Sequence, residues 1–227
     1  MCLAKVRSMG QEIDLLRNYP KANRNVDGRL ESKSEATRAI ARQFGKDFFD
    51  GEREFGYGGF SYHPRFWTEV IPDIIAQYGL SSESKILDVG CAKGFFLYDL
   101  RVALPGVGIQ GIDISKYAIE NSIEEVRPFL SVASADSLPF EDDSFDFVIS
   151  VNTVHNLDRE QCGVALQEII RVSKGNAFIT VDAYRNTEEK IRMEAWNLTA
   201  RTMMSCEEWA VFFEEVGYSG DYNWFIP

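Results

Sequence analysis

The strongest constraint on the fold of this chain is a rhythm. Between residues 85 and 181, short apolar runs alternate with segments of helical period. Residues 85–89, 108–112, 130–135, 145–151 and 177–181 read as strands, and residues 95–104, 115–126 and 160–172 as helices. Pro105-Gly106 closes the first of these helices, and Ser115 caps the second. Strands alternating with helices at this spacing imply βαβ units. The expected fold is α/β, a mostly parallel sheet with right-handed crossovers and helices on both faces. Ligands of such sheets gather at the carboxyl ends of the strands, so candidate residues are read off those ends.

The flanks are less regular. Ser32-Lys33-Ser34-Glu35 resembles a capping box, and Ala36, Ile40, Phe44 and Phe48 recur every four residues, which predicts a helix over 33–49 ended by Gly51. Residues 56–62 form an aromatic loop with glycines at 56, 58 and 59. A second helix is expected over 65–78, started by Pro64, interrupted by Pro72 and ended by Gly79. A last helix spans about 206–216. The expected organisation is an N-terminal arm and lid helix over 1–64, followed by one domain over 65–227.

Three strand ends carry carboxylates. The first runs Ile86-Leu87-Asp88-Val89-Gly90-Cys91-Ala92-Lys93-Gly94-Phe95. Its glycines let backbone approach a ligand closely. The dinucleotide fingerprint needs G-x-G-x-x-G, and here Ala92 and Phe95 occupy glycine positions, which argues against a nicotinamide oxidoreductase. Asp88, just before the loop, suits a cationic ligand better than a pyrophosphate. The second strand ends at Asp113, followed by Ile114, and an acid there can accept both hydroxyls of a ribose. After the third strand, Asp136 can accept from an adenine amino group, with a backbone N–H at Ser137 alongside. Together they suit a ligand bearing an ammonium group, a ribose and an adenine.

The segments ILDVGCAKGF (86–95), QGIDIS (110–115), ASADSLPFEDDSFDFVIS (133–150), VNTVHNL (151–157) and LQEIIRVSKGNAFITVDAY (166–184) resemble the class I S-adenosylmethionine-dependent methyltransferases. The resemblance covers roughly residues 65–220. It implies a Rossmann-like sheet, S-adenosylmethionine as cofactor and S-adenosylhomocysteine as product. It implies that Asp88, Gly90 and Gly94 hold the methionine moiety, Asp113 the ribose, and Asp136 with Ser137 the adenine, with Cys91, Ala92, Ile114 and Asn152 as further cofactor contacts. Two departures stand out. Ala92 replaces the middle glycine of the family loop. Only 11 residues follow the last helix, where the family adds two antiparallel strands, so either one strand is missing or the stretch 197–204 supplies one.

Methyl transfer from a sulfonium is an in-line displacement, and the protein mainly aligns the nucleophile and excludes water. A base is needed when the nucleophile is a hydroxyl. His155, after the fourth strand, is one candidate base, and a polar histidine packed over the cofactor is the other reading. Asp182 and Tyr184, past the fifth strand, are alternatives. His63, Tyr57 and Tyr62 in or near the aromatic loop are candidate acceptor contacts, and core packing is the rival reading for the loop aromatics. Cys91 reads as a space-filler.

The charge pattern bears on the acceptor. The 227 residues carry a net charge of −11, which argues against a long phosphate backbone as partner. The segment after the fourth strand also lacks the [DN]-P-P-[FY] motif of methyltransferases acting on nucleic-acid bases or protein amides. Residues 1–42 hold nine Lys/Arg against five Asp/Glu, so a basic arm joins an acidic body. Arg17, Lys21 and Arg24 on that arm are expected either to pack on the domain or to recruit an anionic metabolite. No apolar run approaches the ~20 residues a membrane helix needs. Cys2, Cys91, Cys162 and Cys206 lie far apart, giving neither a disulfide framework nor a zinc pattern, and a reducing cytoplasm is the default expectation. No metal site is expected. The function expected is methylation of a small polar metabolite, with a sugar or phosphorylated intermediate in view. An RNA or protein methyltransferase and a non-catalytic binder of S-adenosylmethionine are the rivals. The sequence leaves the oligomeric state open.

Overall fold

Side chains along the central strands alternate between two cores. In β1 (Lys85–Val89), Ile86 faces one core, while Leu87 and Val89 face the other. In β4 (Phe147–Val151), Phe147 and Ile149 face the first and Val148 the second. α4 (Ile71–Tyr78) and α5 (Phe95–Ala103) cover the first core, through residues such as Ile71, Ile74, Leu97 and Leu100. α7 (Arg159–Val172) and α9 (Cys206–Val216) cover the second, through Leu166, Ile169, Trp209 and Phe213. Strands buried on both faces require near-continuous apolar runs, and these have them. Fully burying a side chain such as Phe147 contributes about 1.5–3 kcal/mol.

This computed structural model describes residues 10–21, 26–58 and 60–227. Cys2, Arg24 and Gly59 lie outside the described residues. The sheet order is β3-β2-β1-β4-β5, with β2 at Gly108–Asp113, β3 at Leu130–Val132 and β5 at Ala177–Tyr184. Two further strands, β6 (Met204–Ser205) and β7 (Asp221–Phe225), share the far edge of β5. All pairings among these strands are parallel. The antiparallel addition that the resemblance implies is therefore absent among the described residues. The stretch 197–204 ends in the two-residue β6, and α9 returns the chain so that β7 runs parallel beside Phe178–Asp182. The edge beyond β7 is closed by the N-terminal arm, where Ile13 N–H donates to Tyr222 O at 2.8 Å and Tyr222 N–H to Gln11 O at 3.0 Å. Covering an edge in this way removes a template for aggregation.

Several element boundaries differ from the sequence reading, each for a local reason. The single helix expected over 33–49 is two, α2 (Glu35–Ala41) and α3 (Lys46–Asp50). The break falls at Phe44, which takes a left-handed φ of 49° and whose carbonyl accepts from Ser115 Oγ. An apolar period of four persists across such a break because both helices bury the same side. The true N-cap is Ser34, which accepts from Thr37 N–H at 3.0 Å. Pro72 sits in the first turn of α4 and starts it rather than interrupting it. α6 is only Lys116–Glu120, and a short 3-10 turn at Arg127–Phe129 follows. Two helices had no expectation, α1 (Val26–Ser32) and α8 (Thr187–Trp196). The basic arm packs on its own domain at Arg17, which pairs with Asp73 at 2.8 Å.

Candidate active site

At the carboxyl ends of β1, β2, β4 and β5 lies a cleft of about 1300 Å³. Its donor half is set by the loop after β1. Gly90 has φ 86°, and a Cβ there would stand 2.1 Å from Thr153 Oγ1, so only glycine fits. Gly90 and Cys91 N–H both donate to Ile112 O, at 2.8 and 2.9 Å, which locks the loop against the end of β2. Ala92 adopts φ 49°, the left-handed conformation a glycine usually supplies. Its strain is offset by Asp113, whose carboxylate accepts from Ala92 N–H and Ser115 N–H, each at 2.8 Å. Asp113 is thereby fixed in one orientation at the cleft.

Asp88 and Asp113 lie close together and both are buried. Burial first, then the neighbouring Asp113, pushes the Asp88 carboxyl up to about 8. Burial also raises Asp113, while its two backbone donors oppose the shift. A buried pair of acids is a site that gains from a cation. Ile114 lines the cleft at 58% exposure, an apolar face left uncovered on the rim. The wall after β3 is made by Ala133, Ser134 and Ala135. Asp136 and Ser137 do not line the cleft, and Ser137 N–H is spent on Ser134 O at 3.2 Å. The strand ends at Val132, three residues before the expected end, so the residues reaching the cleft come earlier. Gly94, φ 78°, caps α5 behind the loop rather than lining the cleft. The Cys91 thiol is buried and its pKa is pushed well up by burial and by Asp88 and Asp113, which agrees with a space-filler.

The acceptor half is built from the ends of β4 and β5. Asn152, φ 56°, donates its N–H to Thr180 Oγ1 at 2.8 Å and accepts from the same hydroxyl through Oδ1 at 2.9 Å. His155 is buried at 3% exposure. Its Nδ1 accepts from Asp182 N–H at 3.2 Å, so in the neutral ring Nε2 carries the proton and faces Asp182 Oδ1 at 3.5 Å. Burial lowers the imidazole pKa, with Asp182 opposing, and keeps the ring neutral at physiological pH. Both nitrogens are thus engaged, and no lone pair remains to take a proton from an acceptor. Asp182 lines the cleft, and its Oδ2 accepts from Asn197 Nδ2 at 2.8 Å.

The other sequence candidates separate. Tyr57 lines the cleft, and its hydroxyl oxygen accepts from Leu198 N–H at 2.7 Å and Thr199 N–H at 3.3 Å, holding the loop after α8. Tyr184 turns away toward Glu208 and lies outside the cleft lining. Tyr62 donates to Asp99 at 2.6 Å and packs on Phe95 and Tyr98. His63 caps the short turn at Pro64 by accepting from Arg65 N–H. Neither Tyr62 nor His63 lines the cleft. Lys21 lines it, whereas Arg17 is held by Asp73.

The sequence points to a lid over residues 1–64 but not to the contacts that anchor it. Lys93, inside the donor loop, grips Asp50 at 2.6 and 2.8 Å and donates to Phe60 O at 3.0 Å. Tyr117 donates to the same Asp50 at 2.7 Å. On the opposite side, Lys33 donates to Glu194 O and Ala195 O, and Arg42 to Thr199 O and Ala200 O. α1–α3 therefore bridge from the donor loop to α8 and the loop after it. The signal for this was faint: Lys93 stands in a loop where a small residue would suffice, and its partner is 43 residues away. Among the described residues, no three His, Cys, Asp or Glu side chains group as metal ligands, and no helix is long and apolar enough to cross a membrane.

Residues 80–224 match the methyltransferase-domain family. An uncharacterised protein of Haemophilus influenzae is 29% identical over 160 residues, covering 64% of this chain and 62% of that protein. The tRNA (carboxymethyluridine(34)-5-O)-methyltransferase of Arabidopsis thaliana is 32% identical over 134 residues, 57% of this chain and 31% of its own. The crystal structure of the YcgJ protein of Bacillus subtilis shares the fold, with a TM-score of 0.54 at 21% identity over 64% of this chain and 66% of that one. The match spans less than two thirds of the length of either curated relative. This chain belongs to the methyltransferase-domain family, the class I S-adenosylmethionine-dependent methyltransferases.

Proposed function

We propose that this protein methylates an oxygen, or next in order a nitrogen, of a small polar metabolite, with S-adenosylmethionine as donor and S-adenosylhomocysteine as product. The observation that carries the reading is the cover. α1–α3 cross the acceptor end of the cleft, anchored at Lys93 and Ser115 on one side and at Thr199 and Ala200 on the other. Such a cover favours an acceptor small enough to be enclosed, and the net charge of −11 points the same way. The residues up to about 64 then act as arm and cover, and those from 65 onward as the catalytic domain. Free thiols at Cys91, Cys162 and Cys206 accord with a reducing cytoplasm.

The donor residues fit the cofactor. The buried acids Asp88 and Asp113 suit its cationic and ribose groups, and the fixed loop at Gly90–Ala92 leaves backbone within reach. Ala133, Ser134, Ala135 and the exposed Ile114 would enclose the adenine, in place of Asp136 and Ser137. The sulfonium supplies an electrophilic methyl carbon with a neutral leaving group. The chain's own task is to orient the acceptor and remove its proton. Asp182 is the group we assign to that proton, and neutral His155 is a positioning residue that faces its carboxylate.

The test uses methyl-labelled S-adenosylmethionine, purified protein and a cell extract, with products split by a size-cutoff filter. Label in the small fraction is expected. Label only in the retained fraction would overturn the metabolite reading in favour of RNA or protein. S-adenosylhomocysteine binding with no label anywhere would favour a non-catalytic binder. With the acceptor in hand, Asp182→Asn should lower kcat about 10²–10⁴-fold while S-adenosylhomocysteine affinity holds. Equal activity of that variant would remove Asp182 from the proton path.

A further inference from the structure

A side chamber of about 460 Å³ opens off the cleft, and the two share Arg42 and Arg201 as wall. Arg38 on α2 and Arg42, which caps it four residues on, both point a guanidinium at Ala200 O, at 3.4 and 3.3 Å. Arg42 Nε also donates to Thr199 O at 3.3 Å, and Arg201 is the next residue along. Two guanidiniums therefore converge on one stretch of backbone, and Arg201 of that stretch lines the same chamber.

None of the three comes within 4.0 Å of a carboxylate among the described residues, whereas Arg17 and Arg159 each have one and Arg171 has two. Glu194 lines the chamber but turns to Lys190, at 3.9 Å. Burial and the mutual repulsion of Arg38 and Arg201 lower the Arg42 pKa, and Glu35 only partly opposes them. Two polar atoms are also left over. Arg38 Nε is a buried donor and Asn197 Oδ1 a buried acceptor, neither with a partner among the described residues. In a chain of net charge −11, three arginines lining one chamber with no ion pair to a carboxylate among the described residues suit an anion.

The triad is tied to the reacting centre. Arg201 N–H donates to His155 O at 3.0 Å, and Asn197 Nδ2 holds Asp182 at 2.8 Å. We infer that Arg38, Arg42 and Arg201 bind an anionic group, a carboxylate or a phosphate, on the methyl acceptor at a point remote from the atom methylated. The inference rests on the small-molecule reading above and narrows it to anionic metabolites. It moves the anion site away from the arm residues Arg17 and Lys21. A guanidinium gives bidentate recognition that either oxyanion can use.

The test needs no acceptor at first. S-adenosylhomocysteine-loaded protein is titrated with inorganic phosphate and, separately, with succinate, and thermal stability is followed. A saturable rise is expected for the wild type, weakened roughly tenfold or more in apparent affinity in the Arg38→Gln/Arg201→Gln double variant, and reduced by added salt. The probe that binds better tells phosphate from carboxylate. Arg201→Glu, at an exposed position, guards against loss of folding and should abolish the rise without lowering the melting point of the unprobed protein. Arg201→Lys should keep part of it. S-adenosylhomocysteine binding is measured in every variant, so failure there speaks against the donor site and not the triad. Equal stabilisation of wild type and variants would overturn the inference. So would a labelled small product that passes an anion exchanger unretained, or label found only in RNA.

Discussion

The two halves of the cleft are built from different materials. The donor half is backbone: strand ends, two N–H groups on Ile112 O and two on Asp113, within a loop of fixed conformation. The acceptor half is side chain reaching for backbone, with Lys33, Arg38 and Arg42 donating to carbonyls and Tyr57 accepting from N–H groups of residues 194–200, from elements more than 130 positions away. A backbone cradle is specified locally and tolerates little change. A side-chain clasp can be retuned one residue at a time. The difference suits a family that keeps one cofactor and varies its acceptor.

The sharpest way to break this contrast is Gly90→Ala. A methyl group 2.1 Å from Thr153 Oγ1, at φ 86°, should cost about 3 kcal/mol or more and eliminate S-adenosylhomocysteine binding. Calorimetry and thermal melting check both. A variant that still binds would mean the loop is not the rigid element described here.

A smaller effect is expected at the latch between the halves. Asp50→Asn removes the charge facing buried Lys93 and should lower stability by about 1–2 kcal/mol. The KM for the acceptor should rise several-fold, while S-adenosylhomocysteine affinity stays within about threefold. Steady-state kinetics separates the two. Equal loss on both sides would show that the halves act as one unit.

The subtlest effect is in pH. Asp88 is held up to about 8 when folded, against an ordinary value of 3.8, so the folded state keeps a proton that the unfolded chain releases. That contribution is fully present below about 3.8 and is lost as pH rises toward about 8. Asp88→Asn has no such proton to lose. Its stability relative to the ligand-free wild type should therefore grow across this window, by at least about 1 kcal/mol. A difference independent of pH would contradict the assignment.

The same division explains what the sequence disclosed. The donor loop, Asp88, Asp113 and the five central strands are local patterns, legible from apolar runs and glycine placement. β3 stops at Val132, three residues short of the expected end, because a short edge strand gives no sharp end signal, and Ala133, Ser134 and Ala135 rather than Asp136 and Ser137 line the cleft. α8 escaped notice because its sequence TEEKIRMEAW is mostly polar and Ile191 is 61% exposed, although Asn186 followed by Glu189 is a helix-start signature. Arg38 and Arg42 sit at helical spacing, yet nothing local predicts that Arg201 joins them. His155 shows the limit most plainly: the sequence sets it near the acceptor, but only the Asp182 N–H on Nδ1 fixes its tautomer.

The most direct test of the account is calorimetric titration of the purified protein with S-adenosylhomocysteine and, in parallel, with NADH. Saturable one-to-one binding of S-adenosylhomocysteine, lost in Gly90→Ala and weakened in Asp113→Asn, with no heat from NADH, is the result expected. Tight binding of NADH with none of S-adenosylhomocysteine would contradict the reading of the donor half, and with it everything built on the acceptor side.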